Sequence, residues 1–237
     1  GMKISTYNSD EIKEQQLIND MVGRDVSLFY KRPKVPVGDV QFEVKNLCGN
    51  GVEKVSFSVR AGELLGIAGM VGSGRTELAE LLFGAKKADS GEVFVGRKKV
   101  NLKAPLSAIE NKMCFITEDR QDTGLFLQHS LDKNIPIASY TQTSTPLAMP
   151  KDDMQLAQKY VNTLMIKTPS VTQKVMFLSG GNQQKVVLAK WFAINADIFI
   201  FDEPTRGIDV GSKEEIYKII VELLQNEKAV IMISSDM

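Results

Sequence analysis

The sequence predicts an α/β fold, a core sheet flanked by helices, from three stretches in which a short apolar run delivers polar residues to its end. In the first, Leu64 to Ala68 reads as a buried parallel strand, Gly69 to Gly74 as a glycine-rich turn, and Thr76 to Phe83 as an amphipathic helix. In the second, Phe177-Leu178-Ser179-Gly180-Gly181 leads into a helix carrying Val186, Val187, Leu188, Ala189, Trp191 and Phe192. In the third, the buried strand Ile198 to Phe201 ends on Asp202-Glu203-Pro204-Thr205.

Each stretch implies chemistry. A phosphate-binding loop of the pattern G-x-x-x-x-G-K-[ST] needs glycines so that backbone N–H groups close around phosphate oxygens, and a hydroxyl for magnesium. Gly69, Gly74 and Thr76 fit that pattern, with Gly72 and Ser73 inside it, while Arg75 stands where lysine belongs. A helix beginning there adds its unpaired N–H groups and the positive end of its dipole. The Ser179 hydroxyl and the glycine pair after it open another helix and form an anion site of the same physical kind. Asp202 is placed to hold magnesium through water, and Glu203 to accept a proton from attacking water.

The remaining elements fall in order. Polar and then proline-containing residues 1–38 read as a linker, with an amphipathic helix predicted over Ser9 to Val22 and Gly1 ahead of Met2 as the scar of a cleaved tag. Val40, Phe42 and Val44 alternate with polar residues, as do Val55, Phe57 and Val59 beyond the Gly49-Asn50-Gly51 turn, so two antiparallel strands precede the glycine loop. Glu92 to Val95 and Lys99 to Leu102 are short strands, and Met113 to Thr117 is a buried one ending on Glu118-Asp119-Arg120. From Gly124 to about Phe177 helical pieces and prolines form an insert, a subdomain over about residues 122–185 of a domain spanning 39–237. Lys213 to Gln225 is a helix and Ala229 to Ser234 a last strand.

Composition narrows the function classes. Lysine plus arginine equals aspartate plus glutamate at 29 each, so no global field argues for nucleic acid. Cys48 and Cys114 have no metal-ligand spacing and read as buried thiols of a reducing compartment. No apolar run is long enough to span a bilayer, so a membrane role requires a partner.

Taken together the three stretches resemble the ATP-binding cassette ATPases, a P-loop NTPase core with an N-terminal antiparallel β subdomain and an inserted helical subdomain. Gly69 to Thr76 matches Walker A, Leu178 to Gln184 the signature, Ile198 to Glu203 Walker B, and Gly207 to Asp209 the D-loop. The resemblance implies ATP and Mg2+ as ligands. It gives Gly69, Gly72, Ser73, Gly74, Arg75 and Thr76 to the nucleotide, Thr76, Glu118 and Asp202 to the metal, and Glu203 to catalysis. Ser179, Gly180, Gly181 and Gln183 would act in trans on a second cassette.

Departures from the pattern are concentrated in the chain's own site. Arg75 replaces the lysine, Glu77 follows where a second hydroxyl is usual, Glu118 takes the Q-loop glutamine position and Ser235 that of the switch histidine. His129 lies in the insert and reads as a solvated loop residue, and the Leu47 to Asn50 turn lacks an aromatic side chain for adenine. Together with Gly-Arg-Thr-Glu, Thr-Glu-Asp-Arg, Leu-Ser-Gly-Gly-Asn-Gln-Gln-Lys and Glu-Pro-Thr-Arg-Gly-Ile-Asp-Val-Gly, these features resemble the second nucleotide-binding domain of monosaccharide importer ATPases. The implied partners are the first cassette of the same polypeptide, transmembrane permease subunits and, indirectly, a periplasmic or extracellular sugar-binding protein. The implied place is the cytoplasmic face of the membrane. On this reading the chain is a C-terminal half lacking its own tail. Two other readings remain: a self-sufficient cassette ATPase in a non-transport role, and a dinucleotide-binding Rossmann enzyme read from the glycine loop alone.

Overall fold

A computed structural model describes residues 6, 20, 35–70, 72–142 and 150–235. Apart from Asp20, the helix expected over Ser9 to Val22 lies outside them.

The first two strands form a hairpin, β1 (Val40–Gly49) and β2 (Val52–Arg60), with Gly49 opposite Val52. Asn50 and Gly51 both have positive φ, 49° and 81°, the conformation a two-residue hairpin turn demands. Phe42 and Val44 are buried on one phase of β1, yet so is Leu47 on the other. A bulge between Val44 and Leu47, with Asn46 at φ 49°, supplies the extra residue that switches the phase. Strands β4 (Ser90–Val95) and β5 (Lys98–Val100) join the same sheet in the order β2-β1-β4-β5, so the antiparallel layer draws on chain from both sides of the glycine loop.

The core sheet is parallel throughout, in the order β3-β8-β7-β6, from β3 (Leu64–Ala68), β6 (Met113–Ile116), β7 (Ile198–Asp202) and β8 (Ala229–Ser234). Every residue of β6 and β7 is buried, as expected of parallel strands covered on both faces. The sequence reading of β3 as a buried strand needs correction. Its residues are half-buried to exposed because β3 is an edge of this sheet, hydrogen-bonded to β8 alone.

Helix α1 (Arg75–Phe83) begins one residue before its expected start, so Arg75 belongs to the helix and not to the loop. It ends at Gly84, φ 73°, whose N–H turns back to the Glu80 and Leu81 carbonyls. Short α2 (Pro105–Glu110) leads into β6, and α3 (Leu131–Asn134) and α4 (Pro150–Thr163) lie in the insert. Helix α5 (Gly180–Phe192) is buried nearly all round. Trp191 packs edge-on against Phe83 and Phe192 against Phe199, which assigns both to packing. Within the insert Leu125 and Ile135 are core residues, whereas Phe126 is 54% exposed.

Helix α6 (Val210–Gln225) starts three residues before the predicted Lys213 because Asp209 caps it, accepting from the Ser212 N–H at 2.9 Å.

Candidate functional site

Parallel strands present all their carboxyl ends on one side, and β3, β7 and β8 deliver their last residues there. A cleft of about 470 Å³ opens at that edge, lined by residues 72–77, Glu118, Asp202, Glu203 and Ser235 with the turn at Arg206 to Ile208. The structure therefore brings together the candidate nucleotide, metal and catalytic residues that lie far apart in sequence, except Gly69, which lines a separate groove behind the loop.

The loop is built to admit an anion. Gly72 and Gly74 sit at φ 82° and 85°, and a Cβ added to Gly69 would stand 2.7 Å from the Ser73 hydroxyl oxygen. Gly74 caps α1 without any side-chain oxygen, so the first-turn N–H groups have no side-chain acceptor.

Asp202 is 1% exposed, and neither carboxylate oxygen has a hydrogen-bond partner among the described residues. Burial pushes its carboxyl above the usual aspartate range, and the charges of Glu203 and Glu77 push the same way. The Thr76 hydroxyl and Arg75 oppose them, Thr76 without reaching hydrogen-bond geometry. An orphaned buried carboxylate beside a helix-start hydroxyl is a fitting partial shell for Mg2+, which binds one or two carboxylates and takes its other oxygens from phosphate and water. Among the described residues no group of three or more His, Cys, Asp or Glu forms a protein-only metal cage.

Two neighbouring carboxylates are engaged. Glu203, at φ 45°, donates its N–H to the Ile233 carbonyl at 3.0 Å, and its Oε1 lies 3.5 Å from Arg75 Nη1. Glu118 lines the cleft but its carboxylate pairs with Arg206, so it is not an open metal ligand in this arrangement.

The residues of the second anion site stand elsewhere. Ser179, Gly180, Gly181 and Gln183 do not line the cleft. Ser179 caps α5, its Oγ accepting from Asn182 Nδ2 at 2.9 Å, and remains exposed at the helix start. Gly181 is wedged against α6, where an added Cβ would lie 2.2 Å from the Ser212 hydroxyl oxygen. Gln183 is buried and turned inward, donating to the Val175 carbonyl at 3.3 Å, so Asn182 and not Gln183 shares the exposed start of the helix.

Three residues that lie within stretches singled out in the sequence receive no role at the site from the sequence alone. Arg206, the partner of Glu118, sits in Pro204-Thr205-Arg206-Gly207 beside the Walker B carboxylates. Arg120 reaches the carbonyls of Arg206 and Gly207. Phe57 on β2 lines a separate groove of about 520 Å³ behind the glycine loop, beside Gly69 and Ser73, and supplies an aromatic ring from outside the Leu47 to Asn50 turn. His129 is exposed and edge-on to Phe126 at 6.1 Å, which agrees with a solvated loop histidine.

Comparison with known proteins gives a consistent picture. The family model described as ABC transporter matches residues 52–206. The chain is 43% identical to the ribose import ATP-binding protein RbsA of Clostridium tetani and 41% identical to that of Geobacillus kaustophilus, in both cases over all of this chain. It spans about half the length of these curated relatives, 48% of each. Among solved structures, a nucleotide-free ATP-binding cassette of an ABC transporter superposes with TM-score 0.70 at 21% identity, covering 82% of this chain and 81% of that one. The dimeric post-hydrolysis state of the cassette MJ0796 bound to ADP and Pi gives 0.70 at 22% identity, covering 82% and 88%. At that identity the likeness concerns the fold.

Proposed function

The chain belongs to the ABC transporter family, and from that premise we propose that it is the second cassette of a monosaccharide importer's ATP-binding protein, a helper whose signature completes another cassette's site. Relatives more than 40% identical that are named as ribose import proteins support the sugar class, and their being about twice as long supports a two-cassette arrangement. On this reading the cassette pairs with a first one in the same polypeptide and docks on permease subunits at the cytoplasmic face of the membrane. A periplasmic or extracellular sugar-binding protein acts indirectly. Among the described residues no helix is long and apolar enough to cross a bilayer. Exposed Phe126, Met176 and Phe177, on neighbouring stretches of the insert, suit a permease contact.

The observation that carries the proposal is an asymmetry. In the chain's own cleft the general-base candidate Glu203 is paired with Arg75, whereas the Ser179 end of α5 is exposed and built. Arginine keeps the charge of the missing lysine but is a planar fork, not a compact point charge, and the lysine position between phosphates is small. ATP with magnesium would supply the phosphoryl group. The residues of this chain would bind it through the N–H groups of 72–76, hold the cation at Asp202 and Thr76, and leave Glu203 poorly placed to take a proton.

In the polypeptide carrying both cassettes, Ser179→Arg should abolish ATP hydrolysis. A general base supplies about 10² to 10⁴ in rate, so Glu203→Gln would cost that much if this cleft turned over, and should cost far less if it does not. A Glu203→Gln variant more damaged than Ser179→Arg reverses the roles. The isolated cassette should bind ATP without steady-state phosphate release.

A further inference from the structure

We infer that Arg120 is a positioning residue that sets the angle at which the Ser179 end of α5 is presented. It bonds its own turn to the Arg206-Gly207 carbonyls while its guanidinium packs against Gly180 at the start of that helix. The inference rests on the reading that this helix start completes a partner cassette's site.

Arg120 opens a one-turn π-helical segment, Arg120–Gly124, two residues after the cleft-lining Glu118. The turn is fixed from within, because Asp119 Oδ1 accepts from the N–H groups of Gln121 at 2.9 Å and Asp122 at 3.0 Å. From that base Arg120 Nη1 donates to the Arg206 carbonyl at 2.9 Å and Nη2 to the Gly207 carbonyl at 3.3 Å. The same guanidinium lies under α5: a Cβ added to Gly180 would come within 2.8 Å of Nη2 and 3.2 Å of the Gly207 oxygen. Turn, D-loop and signature thus meet at one planar group.

Among the described residues no other side chain reaches both the Arg206-Gly207 carbonyls and the start of α5. The ion pair of Glu118 with Arg206 joins only two of the segments, and Gln121 to Gln183 at 3.4 Å and Lys190 to the Gly124 carbonyl at 2.7 Å tie the turn to the flank of α5. Arg120 has no carboxylate partner among the described residues, so carbonyl oxygens alone hold it. That duty needs a rigid fork with donors on separate nitrogens, which lysine lacks.

The test uses the polypeptide carrying both cassettes, assembled with its permease, comparing Arg120→Ala, Arg120→Lys and Ser179→Arg. Misplacement of a reacting group by an ångström costs up to about 10²-fold, so Arg120→Ala should lower kcat by at least about tenfold. KM for ATP and the thermal midpoint should stay near those of the unaltered protein, and Arg120→Lys should recover less than half of the loss. Unchanged kcat in Arg120→Ala, full recovery by lysine, or a loss that merely follows unfolding overturns the inference, provided Ser179→Arg abolishes hydrolysis. A silent Ser179→Arg overturns the trans-signature reading itself, which separates the two failures.

Discussion

Arg75 and Glu203 face each other across the cleft with Nη1 and Oε1 3.5 Å apart and only 10% and 11% of their side chains exposed. The first residue of α1 is thereby bound to the residue that follows β7, and the positive charge a nucleotide would need is already met by a carboxylate. Neighbouring Asp202 is left without a hydrogen-bond partner among the described residues. The cation at the start of α1 is thus taken up by the carboxylate placed to accept a proton from attacking water.

The pair should be energetically coupled. Charged groups in contact and largely shielded from water show interaction energies of about 0.5–3 kcal/mol. Arg75→Ala and Glu203→Gln should each destabilise the domain, and the double variant should lose less than their sum. Urea denaturation of the four proteins measures the coupling, and a value of zero means that the contact contributes nothing to stability.

Asp202 should behave in the opposite way. Burial raises the Asp202 pKa, so its ionised form opposes folding at neutral pH. Asp202→Asn, which removes the charge while keeping the polar atoms in place, should stabilise the ligand-free domain at pH 7. The same change removes the buried carboxylate that would hold the cation, so magnesium should no longer add to the stabilisation that ATP confers. Thermal midpoints with ATP, with and without Mg2+, decide it: equal magnesium increments in both proteins would show that the cation is not held at Asp202.

Much of this was legible in sequence, and what was missed has physical causes. Ile198 to Asp202 and Ala229 to Ser234 are apolar runs whose burial and parallel pairing follow from composition. The expected Lys213 start of α6 fell late because Val210-Gly211-Ser212 has little helix propensity, and the Asp209 cap outweighs it. Leu64 to Ala68 looked just as buried as the other core strands, since composition does not reveal which parallel strand lies at an edge. The chemistry of the cleft was legible as a set of residue types, whereas its pairings were not. Arg75 with Glu203 and Glu118 with Arg206 join residues whose proximity depends on the order of strands in the sheet.

Gly181 predicts a steric cost that a second change relieves. A Cβ there would stand 2.2 Å from Ser212 Oγ and 2.5 Å from Ser212 Cβ, too close for a side-chain rotation to cure. Overpacking of this kind costs about 1–3 kcal/mol. Gly181→Ala should destabilise by that order, and Ser212→Gly in the same chain should return part of the loss by removing both atoms. If the second change deepens the loss instead, the contact between α5 and α6 is not what limits position 181.

The cap of α6 predicts a dependence on pH. The hydroxyl and N–H of Ser212 hold the Asp209 carboxyl below the usual aspartate value of 3.8, and the helix start favours its negative charge. A carboxylate whose folded pKa is depressed contributes stability that is present above the unfolded value and lost as pH falls through the folded one. Replacing an N-cap aspartate by alanine costs about 0.5–2 kcal/mol, so Asp209→Ala should show that deficit at pH 7 and approach the parent protein in acid. The asparagine oxygen still accepts from the Ser212 N–H without titrating, although its amide nitrogen can only donate to the Ser212 hydroxyl. Asp209→Asn should therefore cost less than alanine at pH 7 and should gain on the parent as pH falls below 3.8. Denaturation midpoints from pH 7 to the acid limb separate the two contributions. If Asp209→Asn parallels the parent throughout, the hydrogen bonds make the cap and the charge does not.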